Sequence, residues 1–201
     1  MTGNGSTEVI YAKEWLARFR NRYDAEASDP RTALGLFYER HRRYVSASNQ
    51  PEYTYEEWNR TFVAFLASLA RDFGLVQAAG WTDAPQLMWL WHGLPDRPAV
   101  AIREVKVARD AIVQEEVPSA VKTGALLTVL VIYPDFPAPP GTQSIEEATE
   151  HWRTKVGEEL SQLGLTREFL LTTISASDWE IPAAWKGFAW RPSERSMTPV
   201  E

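Results

Sequence analysis

Cysteine is absent from the 201 residues of this chain. That excludes a disulfide framework, a thiol nucleophile, a thiolate zinc site and an iron–sulfur cluster. Histidine is scarce: His41, His92 and His151 stand far apart in sequence and match no zinc-ligand spacing. No G-x-S-x-G elbow is present and no cysteine can make an alternative triad, so no motif supports a covalent hydrolase. Positive charge is also short, with 21 Lys and Arg against 27 Asp and Glu, for a net charge of −6. The surface as a whole therefore does not attract nucleic acid or an anionic membrane, and a nucleic-acid role needs a local basic groove or a bound cation. The longest apolar run, residues 124–133, is about half of what a bilayer-spanning helix requires. Residues 1–8 lack the charged and apolar regions of a signal peptide, so the cytoplasm is the expected location and no membrane partner is expected. There is no internal repeat or low-complexity segment.

Against these absences stand 44% hydrophobic and 24% charged residues, an ordinary globular balance for one domain of this length. Apolar residues recur at helical spacing over residues 9–23, through Ile10, Trp15, Leu16, Phe19 and Tyr23. A second helix is expected from Asp29-Pro30, an N-cap followed by proline at the first helical position. It carries Leu34, Leu36, Phe37 and Tyr44, with the basic run Arg40-His41-Arg42-Arg43. A third opens at Thr54-Tyr55-Glu56-Glu57, a capping-box pattern. It aligns Phe62, Phe65, Leu66, Leu69 and Phe73 and ends at Gly74.

After Gly74 the period shortens to that of strands. Leu75-Val76, residues 86–92 and residues 99–107 read as three strands, the last two joined by turn residues at 93–98. A helix over 110–122 is expected to kink or restart at Pro118. Residues 126–133 form a continuous aliphatic run, the pattern of a strand buried on both faces. A proline-rich loop (134–141), a helix from Ser144 to about Leu163, and strands over 168–175 and 184–190 follow. The order implies an α/β fold with a mixed central sheet, helices on both faces and an αβββαβ core behind N-terminal helices. The expected organisation is a disordered stretch 1–8, one domain over 9–191 and a tail at 192–201. Within the domain, 9–50 forms a helical layer and 54–191 the core.

Chemistry concentrates in residues 100–106. Alternate strand residues share a face, so Val100, Ile102, Glu104 and Lys106 point one way, while Arg103 points the other and is open to an ion pair with another carboxylate. An apolar half leading to a carboxylate and an ammonium describes a strand running from core to polar rim. A carboxylate there can hold Mg²⁺, and a lysine two residues on can orient a metal-bound water or stabilise charge on a phosphate. The second carboxylate such a site needs is Asp83, at the mouth of the preceding strand. The competing reading makes Glu104 and Lys106 a solvated cross-strand pair.

Asp83 followed by Glu104-Val105-Lys106, within a helix–three-strand–helix–strand order, resembles the restriction-endonuclease-like PD-(D/E)xK nuclease superfamily over about residues 54–175. The resemblance implies phosphodiester hydrolysis in DNA or RNA with Mg²⁺, or with Mn²⁺ in its place. Asp83 and Glu104 would be the metal ligands, and Asp83, Glu104 and Lys106 the catalytic set. A Glu on the first core helix, Glu57 or Glu56, would complete the shell, and Ser119 or Lys122 would stand as polar helper on the crossover helix. The alternative on the same fold is a catalytically inactive interaction module that binds a protein partner or its own copy.

Two further features bear on partners. Arg40, Arg42 and Arg43, with Arg18, Arg20 and Arg22 on the first helix, are the one basic concentration and the candidate phosphate contacts; a solvated helix face is the simpler account. The nine tryptophans can stack bases or form a tryptophan-rich docking surface, or they can bury area in the core.

Overall fold

Helices form first along the chain, then strands. The computed structural model describes residues 10–48, 55–77, 86–91, 98–105, 109–134, 138–174 and 185–200. Helices α1 (Ala12–Ala27), α2 (Ala33–Ser48) and α3 (Tyr55–Asp72) lead into strands β1 (Leu75–Gln77), β2 (Gln86–Trp91) and β3 (Pro98–Val105). Then come α4 (Asp110–Lys122), β4 (Leu127–Ile132), α5 (Ile145–Gln162), β5 (Glu168–Thr173), β6 (Lys186–Arg191) and β7 (Ser196–Pro199).

All seven strands join one sheet in the order β1-β2-β3-β4-β5-β6-β7. The pairs β3–β4 and β4–β5 are parallel, bridged by α4 and α5; the remaining neighbours are antiparallel. In register, Ile102, Val129 and Leu170 lie side by side on one face, and Arg103, Leu130 and Leu171 on the other. The first face packs under α1, α2 and α3 through Trp15, Phe19, Phe62, Leu66 and Leu69. The second packs under α4 and α5 through Val113, Val117, Trp152 and Val156. The protein is thus a mixed α/β fold of three layers, with β4 buried along its whole length, as its unbroken aliphatic run requires.

The N-terminal layer is fastened by specific contacts. Glu168 at the start of β5 accepts a hydrogen bond from the Ala12 N–H at 3.2 Å, serving one of the free amides at the start of α1. Arg22 on α1 pairs with Glu26 at 2.6 Å and reaches Ser68 and Asp72 on α3. Gly187 in β6 lets α1 come close: a Cβ there would stand 2.2 Å from Leu16 Cδ2.

Three expectations change. Helix α2 is capped by Thr32, whose Oγ1 accepts from the Gly35 N–H at 3.0 Å. Asp29 instead accepts from the Arg31 N–H inside the preceding turn, so the helix starts later than Asp29-Pro30 suggests. Helix α4 runs through Pro118 without a break. The proline costs about 3 kcal/mol in an isolated helix, but Val113, Val117 and Ala120 around it are fully buried, and that packing holds the helix together. Finally, residues 192–201 are not simply a tail. Residues 192–195 form a turn, and β7 pairs with β6 from Arg191↔Ser196 to Phe188↔Pro199, burying Met197. The expected turn at 93–98 lies outside the described residues up to Arg97.

Candidate functional site

In open sheets, the crevice at the carboxyl ends of parallel strands is where ligands bind. Glu104 is the last residue but one of β3, in register with Val131 of β4 and, through it, with Thr172 of β5. Its face is the one covered by the N-terminal helices, where Val100, Ile102, Val129 and Val131 are all apolar. The carboxylate interrupts that apolar surface and is 6% exposed. A buried carboxylate must be hydrogen-bonded to be tolerated, and two donors converge on its Oε1. The Tyr133 hydroxyl, one residue past the end of β4, donates to it. The Trp58 indole, in the first turns of α3, donates to it at 3.2 Å and to the Tyr133 hydroxyl at 2.7 Å.

The chemistry of the three groups fixes the direction of this chain. An indole N–H can only donate and an ionised carboxylate can only accept, so the tyrosine hydroxyl receives from Trp58 and gives to Glu104. Burial, and then the charge of Glu104, push the Tyr133 hydroxyl well above its ordinary range, which keeps it a donor. The indole is itself held by rings: it stacks on Phe62 at 5.4 Å and tilts against Phe37 at 5.3 Å, which in turn stacks on His41 at 6.3 Å. His41 is buried, and burial lowers its pKa.

Arg103, on the other face, pairs with Glu116 of α4, with 15% and 20% of the two side chains exposed. It ties the sheet to its second helical layer and takes no part in the Glu104 cluster.

Of the residues singled out from sequence, Glu104 alone of the catalytic set is described; Asp83 and Lys106 lie outside the described residues. Glu57 is exposed in the first turn of α3, next to Trp58. Ser119 and Lys122 are not brought to Glu104. Helix α4 packs on the opposite face, and its last turns lie near the start of β4, the far end of the sheet from the Glu104 rim. Arg40 is exposed on α2, while the Arg42 and Arg43 side chains lie outside the described residues. The basic residues of α1 serve the fold: Arg20 donates to the Trp185 carbonyl, Arg22 pairs within the α1–α3 network, and Arg18 lies 4.4 Å over the Phe73 ring. Trp15, Trp58, Trp152, Trp185 and Trp190 are buried; Trp81 and Trp179, and the side chains of Trp89 and Trp91, lie outside the described residues.

Sequence reasoning missed Trp58 and Tyr133. The signal available was positional: Trp58 stands four residues before Phe62 on the apolar face of α3, and Tyr133 is the one hydroxyl at the rim end of the β4 run.

A Mg²⁺ site needs several hard oxygen ligands, and among the described residues Glu104 brings one carboxylate, set among Trp58, Tyr133 and apolar side chains. Among the described residues no three His, Asp or Glu side chains gather around one point, and Asp83 lies outside the described residues. No helix among the described residues is long and apolar enough to cross a membrane. No family model, curated protein or solved structure matches this chain.

Proposed function

We propose that this protein is a metal-dependent nuclease of the PD-(D/E)xK kind, hydrolysing phosphodiester bonds in DNA or RNA at the carboxyl end of β3. The observation that carries the reading is the buried, donor-held carboxylate of Glu104, set at the rim of parallel strands β3 and β4. The run α3-β1-β2-β3-α4-β4 supports it. Asp83 and Glu104 would hold Mg²⁺ or Mn²⁺, with Glu57 a further carboxylate on α3. When bound, the ion would polarise the phosphate and lower the pKa of its water. Lys106 would position that water or meet charge on the phosphate, and Arg40, Arg42 and Arg43 would contact the nucleic-acid backbone.

A second reading draws on the same cluster. Trp58 and Tyr133 give Glu104 the partners that a purely internal carboxylate needs, which suits a non-catalytic nuclease-fold module that binds a protein partner or its own copy. A tryptophan-rich docking surface would then rest on Trp81, Trp89, Trp91 and Trp179, since the other five are buried.

Incubation of the protein with single- and double-stranded DNA and RNA, with Mg²⁺, with Mn²⁺ or with EDTA, separates the two. Metal-dependent cleavage that is lost in Glu104→Gln and in Lys106→Ala is expected. No cleavage, together with no heat and no thermal shift at millimolar metal, would remove the enzyme reading.

A further inference from the structure

We infer that the cleft between α5 and the β6–β7 hairpin binds a small organic phosphate with a hydroxylated body, its phosphate held by Arg195. This site lies apart from the Glu104 rim and does not rest on the nuclease reading. Ser196 opens β7 opposite Arg191 at the end of β6, toward the start of β5. The cleft is therefore at the amino ends of the parallel strands, the opposite end of the sheet from Glu104.

Shape comes first. The cleft has a volume of about 640 Å³, inside the roughly 300–1,000 Å³ of small-molecule sites. One wall is a stripe of α5 running from Arg153 to Gln162, and the other is the start of β7 with Arg195 before it. Gly157 and Met197, both buried, form the floor. A Cβ at Gly157 would stand 3.4 Å from Met197 Cγ, so a longer side chain there would fill the space the ligand needs.

The second observation is Arg195 itself. The Glu194 N–H closes a turn on the Arg191 carbonyl at 3.1 Å, and the next residue, Arg195, takes φ 49°. Glycine or asparagine ordinarily fills that left-handed position. Arg195 is the one non-glycine residue with positive φ among the described residues. Its side chain is exposed and takes no hydrogen bond or ion pair among the described residues. Backbone strain of this kind persists where a side chain is presented to a ligand.

Donor chemistry is the third. Thr154, Ser161 and Gln162 put two hydroxyls and an amide on the helical wall, and none of the three side chains is engaged among the described residues. Arg153 is a further positive group, held in place: it donates to the Met197 carbonyl at 2.8 Å, pairs with Glu150 and lies 5.9 Å from the Phe188 ring centroid. The nearby carboxylates have partners, Glu158 in Lys155 at 3.4 Å and Glu194 in the Ser196 hydroxyl at 3.4 Å. A phosphate offers three acceptor oxygens in a tetrahedral array, which suits a guanidinium and donors on facing walls. A carboxylate offers two oxygens in one plane. Glu158, the one carboxylate in the lining, can accept from ligand hydroxyls, and among the described residues no aromatic ring lines the cleft to stack a base. The lining fits a phosphorylated polyol better than a nucleotide.

The probe is ribose 5-phosphate, added to the full chain and followed by calorimetry and by amide NMR, with ribose and inorganic phosphate as separate arms. The variants are Arg195→Gln, which removes charge from an exposed side chain, and Ser161→Ala. The expected result is a saturable shift of the Gly157 and Ser196 amides with ribose 5-phosphate, weaker binding of inorganic phosphate and no binding of ribose. Affinity is expected to fall about 10–100-fold in Arg195→Gln, the loss of a hydrogen bond to a charged group, and less in Ser161→Ala, with the melting temperature unchanged in both. Ser161→Ala carries the test if Arg195→Gln disturbs the turn. No saturable shift with ribose 5-phosphate, equal affinity in the parent and both variants, or ribose binding as tightly as its phosphate would each overturn the proposal. So would an oligonucleotide that binds at the same amides more tightly, which would make the cleft a nucleic-acid groove.

Discussion

The Arg20 guanidinium closes two hydrogen bonds on the backbone carbonyl of Trp185, at 3.0 and 2.8 Å, joining the first helix to the entrance of β6 across 165 positions of sequence. The same tryptophan meets Phe19 and Tyr23 edge-on at 4.7 and 5.2 Å and stacks on Phe62 at 6.1 Å. The N-terminal helices are therefore part of the core, not a cover laid over one.

A fragment beginning at residue 54 would expose Phe62, Phe65, Leu69 and Trp185, all buried in the full chain. Fewer than about 150 residues remain, with one sheet face uncovered, and a sheet must bury its apolar face to be stable. The fragment is expected to melt without a cooperative transition and to bind a hydrophobic dye. A 54–201 fragment that unfolds as sharply as the full chain would contradict this. In the full chain, Arg20→Ala is expected to cost about 1.5–3 kcal/mol in urea unfolding, the range for a hydrogen bond to a charged group.

Glu104→Gln tests the rim cluster from the acceptor side. The amide oxygen can still accept from Tyr133 and Trp58, but charge-assisted hydrogen bonds are roughly twice as strong as neutral ones. A loss of about 1–3 kcal/mol is expected in the metal-free protein. Any rise in melting temperature with Mg²⁺ should disappear, because stabilisation by a ligand requires binding to the folded state. A variant as stable as the parent would mean that the two donors contribute little to holding the carboxylate.

Two buried tyrosines set the behaviour at high pH. Burial, and then Glu104, raise the pKa of Tyr133 well above 10.0; burial, and then Tyr38, do the same for Tyr23. In the unfolded chain both hydroxyls ionise near their ordinary value, while the folded chain keeps them neutral. Below about pH 10 the two states hold the same protons at these sites, and stability is unaffected by them. Above it the unfolded state loses protons first, so stability falls as pH rises. Urea unfolding between about pH 9 and pH 11.5 is expected to show this decline. Tyr133→Phe and Tyr23→Phe should each make it shallower, and an unchanged slope in both would show that other groups govern alkaline unfolding.

Much of this architecture could be read from periodicity alone. The apolar face of α3 and the aliphatic run of β4 named their own elements and partners, because burial on one stripe or on both faces leaves a direct trace in spacing. Strand β7 left none: in Ser196-Met197-Thr198-Pro199 a single apolar residue turns inward, and one residue makes no pattern. Pro118 misled for the opposite reason, since its local preference is strong and the packing that overrides it is tertiary. At the site, the shared face of residues 100–106 pointed to Glu104. Its donors did not appear, because Trp58 and Tyr133 lie 46 and 29 positions away and only the sheet and the docking of α3 bring them in.

Gly35, in the first turn of α2, sets local preference against packing. Alanine is the better helix former by about 1 kcal/mol, so propensity alone predicts that Gly35→Ala stabilises the protein. The close passage of α2 by the end of α1 predicts otherwise. A Cβ at this position would stand 1.9 Å from the Asp29 carbonyl oxygen, 2.5 Å from its carbon and 2.9 Å from the Glu26 carbonyl oxygen. All three are backbone atoms and cannot swing aside as a side chain would. They are also held: Thr32 Oγ1 donates to the Glu26 and Asp29 carbonyls at 2.6 and 2.9 Å while capping α2. Relief requires the turn to move and those hydrogen bonds to lengthen, and overpacking of this kind costs about 1–3 kcal/mol or more. Steric cost exceeds propensity gain, so Gly35→Ala is expected to lower stability by at least about 1 kcal/mol in urea unfolding. A more stable variant would show that the α1–α2 turn yields freely and that the two helices are not locked at this crossing.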